Sequence, residues 1–482
     1  MAPRLLFPPS PLSRRHFLSS TGQTLATVAL AQLLSESASH AEGNPGLPGL
    51  PHFPPKAKRV IFLFMSGGLS QLESFDYKPT LNQRQGEEIP KSVLGSKTPL
   101  GMSQLQAHFP LVGSAYRFAQ HGQSGAWISD QFPHLSGVAD ELCFIKSLYS
   151  EAVNHDPALT FIQTGAPLPL RPSMGAWVTY GLGSDNRDLP AYISLVSNRP
   201  ADQPLSSRLW DSGFLPSRYQ GVQFRSGNEP VLYLKSPAGI DSAANRRMLD
   251  KLKHLHEAEH ARVGDPEIQT RIDQFEMAYR MQSAVPEAVD LKAEPESVRT
   301  MYGPDVEKAG SFAANCLLAR RLAQRGVRFI QLFHPGWDHH GGLPSGYMNG
   351  TQEIDQACAA LIKDLKQQDM LKDTLVVFGT EFGRTSYSQG SISKTTGTYG
   401  REHHRDCFTF WLAGGGVKPG ITFGETDEFG FNIASDPMHV NDLHATMLHL
   451  LGIDHERLTF PFQGRDYRLT DVAGKVAKSI LA

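Results

Sequence analysis

Six short apolar runs punctuate the chain, and each is followed by a segment that is glycine-containing, polar or rich in His, Asp and Glu. They are Arg59 to Met65, Leu142 to Leu148, Ala191 to Val196, Val327 to Leu332, Thr374 to Phe378 and Phe408 to Leu412. Their continuity, rather than alternation, is the pattern of strands buried on both faces. Between them apolar positions recur at helical spacing. Ser311 to Gln324 opens on a capping serine and ends at Gly326. Thr351 to Leu371 sets Ile354, Ala357, Cys358, Leu361, Ile362 and Leu365 on one stripe, and Asn441 to Leu451 opens on a capping asparagine and stops at Gly452. Strands alternating with helices predict an α/β fold: a mostly parallel central sheet with helices on both faces. Asn198 to Pro304 departs from this rhythm. It is charged and polar, with a long helical pattern from Ala243 to Val263, and predicts an insertion at about 198–304. Such an insertion serves substrate selection or oligomer contact, or is a plain solvated excursion.

Composition narrows the picture modestly. Across 482 residues, Lys+Arg 46 balances Asp+Glu 48, so charge gives no reason to expect a nucleic-acid partner or an anionic membrane surface. Ser13-Arg14-Arg15-His16-Phe17-Leu18 is a twin-arginine signature, followed by an apolar run from Leu25 to Leu34 and by Ala38-Ser39-His40-Ala41. Residues 1–41 therefore read as a twin-arginine signal peptide, which sends the chain out of the cytoplasm, to the periplasm in a two-membrane cell. The apolar run is too short for stable membrane insertion. Residues 42–55 read as a Pro/Gly-rich linker and 56–482 as a single domain. Cys143, Cys316, Cys358 and Cys407 form no Cys-x-x-Cys pair, which argues against a thiolate zinc site. After export, one or two disulfides are open to them.

In open sheets of this class ligands sit beyond the carboxyl ends of strands, and the chemistry-bearing residues cluster there. The fourth run leads into Phe333-His334-Pro335-Gly336-Trp337-Asp338-His339-His340-Gly341-Gly342. Asp338 with His340 is a candidate ligand pair for a divalent cation; His334 and His339 rank behind them, because adjacent side chains point apart. Glu381 follows the fifth run as a further ligand or base, with Arg384 offering a fork to an anionic ester. Of His403 and His404 before the sixth run, His404 is preferred as a ligand. His439 and His444 bracket the last helix start, as ligands or as helix-start residues. Ser70 is an alternative nucleophile, with a turn-capping role favoured. His256-Glu257-Ala258-Glu259-His260 fits the zinc-protease pattern HExxH, but lies on a densely charged helix with no third ligand in sight, and is rejected.

The strand-end pattern resembles the alkaline phosphatase/sulfatase superfamily. More closely, it resembles an exported bacterial branch of it, the "domain of unknown function fifteen-oh-one" family. The residues that carry the likeness are Phe64-Met65-Ser66-Gly67-Gly68, Phe75-Asp76-Tyr77-Lys78-Pro79, Asp338 to Gly342, Glu381-Phe382-Gly383-Arg384-Thr385, Asp442-Leu443-His444-Ala445-Thr446, Gln463-Gly464-Arg465-Asp466 and Leu469-Thr470-Asp471. The resemblance places His155 where superfamily members carry their nucleophile, with Leu159 in place of an arginine and Thr164-Gly165 at the expected distance. A His there can ligate metal, act as base or take a phosphoryl group. Where members have an Asp after the first strand this chain has Ser66-Gly67-Gly68, and where many have Asp-His after the fifth it has Glu381-Phe382. The resemblance thus implies one divalent ion rather than two, held by Asp338, His340, His404, Glu381 and His155. Zinc is the first expectation, calcium or manganese the alternatives, and a site without metal stays open. The implied activity is hydrolysis of sulfate or phosphate esters, with His155, Glu381 and Arg384 in the chemistry. The alternative is a non-catalytic protein that binds sulfated or phosphorylated glycans.

Overall fold

The computed structural model describes residues 46–95, 101–200, 203–226, 229–232, 234–236, 239–389 and 398–482. The signal peptide expected over 1–41 lies outside these residues. In chain order the principal elements are β1 (Arg59–Met65), β2 (Leu142–Tyr149), α1 (His155–Thr164), α2 (Met174–Leu182), β3 (Tyr192–Val196), β4 (Val222–Phe224), α3 (Ser242–Val263), α4 (Pro266–Val289), α5 (Phe312–Gln324), β5 (Phe329–His334), α6 (Leu343–Gln367), β6 (Thr374–Gly379), β7 (Gly383–Ser388), β8 (Arg401–His404), β9 (Phe408–Ala413), β10 (Ile421–Phe423), β11 (Met438–His439) and α7 (Val440–Leu450).

Among the described residues the central sheet has nine strands, in the order β10-β2-β9-β6-β1-β5-β3-β4 with β11 also on β2. Every pairing is parallel except those of β9, which runs against both β2 and β6. All six apolar runs are strands of this sheet. The alternate side chains of β1 explain why its run is continuous. Ile61, Leu63 and Met65 enter a core shared with α5 and α6, while Val60, Phe62 and Phe64 enter a second core shared with α1, α2 and α7. Both faces are therefore covered, and each fully buried Leu or Phe contributes about 1.5–3 kcal/mol of transfer free energy.

Helix boundaries differ from expectation in two places. The helix expected over Thr351 to Leu371 is α6, which begins earlier, at Leu343 with Pro344 in its first turn, and ends at Gln367. The last helix is capped by His439 rather than Asn441: the His439 side chain accepts from Asn441 N, and Asp442 Oδ2 accepts from His439 N at 3.0 Å. The Asn198 to Pro304 stretch contributes β4 to the sheet edge and then the helices α3 and α4. Residues 46–55, expected as linker, bond onto the domain through Leu47 N to Gly181 O at 2.9 Å and His52 N to Gly452 O at 2.8 Å. All four cysteines are buried and none is joined in a disulfide. Among the described residues no helix is long and apolar enough to cross a membrane.

Candidate metal centre

Strand register brings the site together. Met65 pairs with His334 and Phe64 with Gly379, so β1, β5 and β6 end level and release their loops side by side. The turn after β1 is tight enough to demand glycine. Gly67 has φ +118°, and a Cβ there would lie 2.6 Å from Trp337 N. The loop after β5 carries Asp338, and the turn after β6 carries Glu381 before the β7–β8 hairpin, in which His403 pairs with Arg384. His155 is the first residue of α1, which follows β2.

Asp338 is the hub. Its Oδ2 lies 3.0 Å from His155 Nε2. Its Oδ1 lies 2.9 Å from His340 Nε2, 3.2 Å from His403 Nε2 and 2.6 Å from Arg384 Nη2. The other ring nitrogen of each imidazole is held by an oxygen: His155 Nδ1 by Glu381 Oε1 at 2.7 Å, His403 Nδ1 by the Val153 carbonyl at 2.8 Å, and His340 Nδ1 by Gln389 Oε1. Glu381 is itself fully buried and accepts from Gly67 N at 2.8 Å.

These bonds set the protons. A carbonyl can only accept, so His403 carries its proton on Nδ1; burial, with Arg384 adding to it, holds that ring's pKa down to about 4. Neutral His403 therefore turns a lone pair toward a carboxylate oxygen. His155 Nε2 is buried and, despite its 3.0 Å approach to Asp338, makes no well-aligned hydrogen bond. Burial pulls the His155 pKa down, but the Asp338 and Glu381 carboxylates beside it outweigh that and raise it to about 9. Asp338 is held far below the ordinary carboxylate range, because His155, His340 and Arg384 together outweigh its burial. A lone pair facing a carboxylate across 3.2 Å is repulsive, and a cation between them removes the repulsion. Imidazoles whose second nitrogen donates to a carboxylate or carbonyl are the arrangement that orients His toward a metal. The ligand atoms of His155, Asp338 and His403 all lie within 4.8 Å of one another, as do those of His340, Glu402 and His403. The donor set fits a divalent cation of borderline softness such as zinc.

Of the residues singled out from sequence, the structure gathers Asp338, His340, His155, Glu381 and Arg384. Three of the remaining expectations change. His403, not His404, faces Asp338: adjacent residues of a strand point to opposite faces, and His404 Nε2 reaches the Phe431 carbonyl at 2.7 Å. Glu381 lies behind His155, its oxygens occupied by Gly67 N, His155 Nδ1 and Thr380 Oγ1. Arg384 has no fork left for an ester. Nε donates to Gly68 O at 2.8 Å, Nη1 to Arg401 O at 2.9 Å, and Nη2 to Gly67 O and Asp338.

The other histidines have structural partners. His334 sits between Trp337 Nε1 and Glu353, and His444 Nε2 bonds Ile162 O at 2.8 Å. His339 packs edge-on against Trp337. Ser70 is buried with its hydroxyl on Glu73, out of reach as a nucleophile. The HExxH helix buries no residue, and His260 bonds its own helix end at Asp265 O. Sequence reading missed the Val153 carbonyl, Gln389 and Glu402; no local pattern marks a backbone carbonyl as the partner of a His 250 positions away.

Residues 57–481 match a family described as "Protein of unknown function (DUF1501)", and the chain belongs to that family. No curated protein matches the sequence. Solved structures similar to it include the lipoteichoic acid synthase LtaP from Listeria monocytogenes, at 11% identity over 90% of this chain and 80% of that one, with a TM-score of 0.33. The PsFucS1 sulfatase from Pseudoalteromonas sp. matches at 13% identity over 90% and 72%, TM-score 0.31. The alkaline phosphatase from the Antarctic bacterium TAB5 matches at 12% identity over 82% and 98%, TM-score 0.32. Likenesses this distant carry no weight for chemistry, which is argued below from the chain's own residues.

Proposed function

We propose that this member of the family is an exported, metal-dependent hydrolase of sulfate or phosphate esters, with one divalent ion held by Asp338, His155, His340 and His403. The observation behind this reading is the set of three imidazoles whose Nδ1 atoms are tied to oxygens and whose Nε2 atoms meet on one carboxylate. A bound divalent cation supplies Lewis acidity toward an ester oxygen and lowers the pKa of water beside it toward 7.

The chain's own groups prepare the site for that chemistry. Glu381 keeps the His155 proton on Nδ1, and Val153 keeps the His403 proton on Nδ1. Arg384 anchors the Asp338 carboxylate by one oxygen and leaves Oδ2 to His155. Asp338, Glu381 and Glu402 bring three negative charges; Arg384 and a divalent ion bring three positive ones. Arg384, the guanidinium bonded to Asp338, is not free to neutralise substrate charge, so the balance favours a singly charged ester, a sulfate monoester or phosphate diester, over a doubly charged phosphate monoester.

The test is metal content of protein purified without chelator, paired with turnover of aryl sulfate, aryl phosphodiester and aryl phosphate. Stoichiometric metal and turnover that vanish together in Asp338→Ala support the reading. Folded protein that takes up no zinc, manganese or calcium overturns it. Metal with glycan binding and no turnover would instead favour a non-catalytic binding protein.

A further inference from the structure

The helical hairpin of α3 and α4 is far from saturated. Helix α3 runs 22 residues and buries none of them. It meets α4 along one side only. Arg246 bonds Glu276 at 2.9 and 2.6 Å, Ser242 Oγ meets Tyr279 Oη at 3.1 Å, and Asn245 donates to Gln282 at 3.3 Å. A different side carries Met248, Leu252, Leu255 and Val263, which are 50%, 36%, 66% and 54% exposed. These positions follow helical spacing, so they form one stripe. Phe275 of α4, 43% exposed and stacked 6.0 Å from His256, widens the stripe at its border. An apolar stripe on an otherwise densely charged helix marks an interaction face rather than scattered surface residues.

The charges beside the stripe say what covers it. Lys251 and Glu259, the latter also paired with Arg262 of its own helix, stand four residues either side of Leu255, the most exposed large apolar side chain of the helix. A two-fold axis through Leu255 sets the two Leu255 side chains together, Leu252 beside Ala258 of the second copy, and Lys251 beside Glu259 of the second copy, twice over. A parallel pairing would put Lys251 against Lys251 and Glu259 against Glu259. The charges flanking Leu255 are therefore complementary in the antiparallel sense and not in the parallel one, the relation an isologous interface requires, while the same axis sets Arg262 beside Met248 and Arg247 beside Val263. A helix of this length is about 33 Å long, and pairing along it with the Phe275 flanks buries on the order of 1,000 Å², the lower end for a specific interface.

We propose that α3 is a self-association surface, pairing antiparallel with α3 of a second copy of this chain about an axis at Leu255. The inference does not depend on the proposed chemistry, since none of the Asp338 cluster lies on the hairpin.

The experiment is mass-resolved sedimentation of the full chain across a concentration series. A reversible dimer in the micromolar range is expected. Leu255→Asp should raise its dissociation constant by about tenfold or more, while Leu170→Asp, at an 83% exposed leucine elsewhere, should leave it unchanged. Thermal melting of each variant confirms the fold. Lys251→Glu and Glu259→Lys should each weaken the dimer, and an equimolar mixture of the two should restore it as a heterodimer. A chain monomeric at every concentration, a dimer indifferent to Leu255→Asp, or a mixture that fails to recover would each overturn the proposal.

Discussion

Around Asp338, the side chains of Glu381, Glu402 and Arg384 are at most 1% exposed, and each has its partners fixed by strand-end loops. On α3, Arg246, Glu259 and Arg262 pair with residues one turn away or across the hairpin, in solvent. Both regions hold His and Glu at metal-compatible spacing. Only the first supplies what a site needs: a half-buried carboxylate met by imidazoles whose far nitrogens are already tied down. The comparison shows that ligand-type residues become a site through the groups behind them: the HExxH match on α3 has one imidazole held by a carbonyl, His260 by Asp265, and no buried residue to set beside it.

Several substitutions would break or sharpen this contrast, the largest first. Asp338→Ala removes the hub and should abolish both metal binding and turnover, read by metal analysis and aryl-ester assay. Arg384→Ala strands the carbonyls of Gly67, Gly68 and Arg401 together with the Asp338 carboxylate, and should cost about 3–5 kcal/mol in urea unfolding; Arg262→Ala on the exposed hairpin should leave the midpoint where it was. Glu381→Gln keeps the shape but weakens the hold on the His155 Nδ1 proton, and should lower metal affinity about 10–100-fold. His403→Gln should lower affinity likewise, whereas His404→Gln should spare it.

Metal binding should also release protons. With its pKa raised from 6.5 to about 9, His155 carries its extra proton at neutral pH, and a ligating imidazole must lose it. Calorimetry at pH 7 in buffers of different ionisation enthalpy should report about one proton released per ion; none would remove His155 from the ligand set. The smallest effect concerns Glu294, which bonds Arg320 and Arg321. Burial pushes its pKa up, but the two arginines prevail and hold it below 4.5. A depressed carboxylate stabilises the fold above its unfolded pKa and loses that contribution as pH falls through its folded value. Glu294→Gln should therefore flatten the loss of stability on acidification below pH 4.5.

Much of the sheet was legible because its strands are buried on both faces: the runs through Phe62 and Val377 carry a polar residue only at their first position, Arg59 and Thr374, and the run through Leu332 stays mostly apolar despite Arg328 and Gln331. The antiparallel sense of β9 was not, since direction depends on what a strand pairs with. At the site, Asp338, His340 and His155 were readable from strand-end placement and family likeness. The choice between His403 and His404 was not. It turns on the pleat of β8, and one residue of register exchanges the two faces. The role of Arg384 escaped for a related reason. A guanidinium's partners are carbonyls of Gly67, Gly68 and Arg401, and sequence carries no mark of a carbonyl's direction.

The position of Arg384 has a consequence for how the molecule opens. One side chain joins the loops after β1 and β5 to the β7–β8 hairpin, so none can detach without stranding a buried charge. The three should exchange their amide hydrogens as a single unit, with the Gly67 amide, held by Glu381, among the slowest in the chain. A site braced this way keeps its shape with or without a ligand, so under the proposed function selection among ligands would fall to charge and size at its mouth rather than to closure around them.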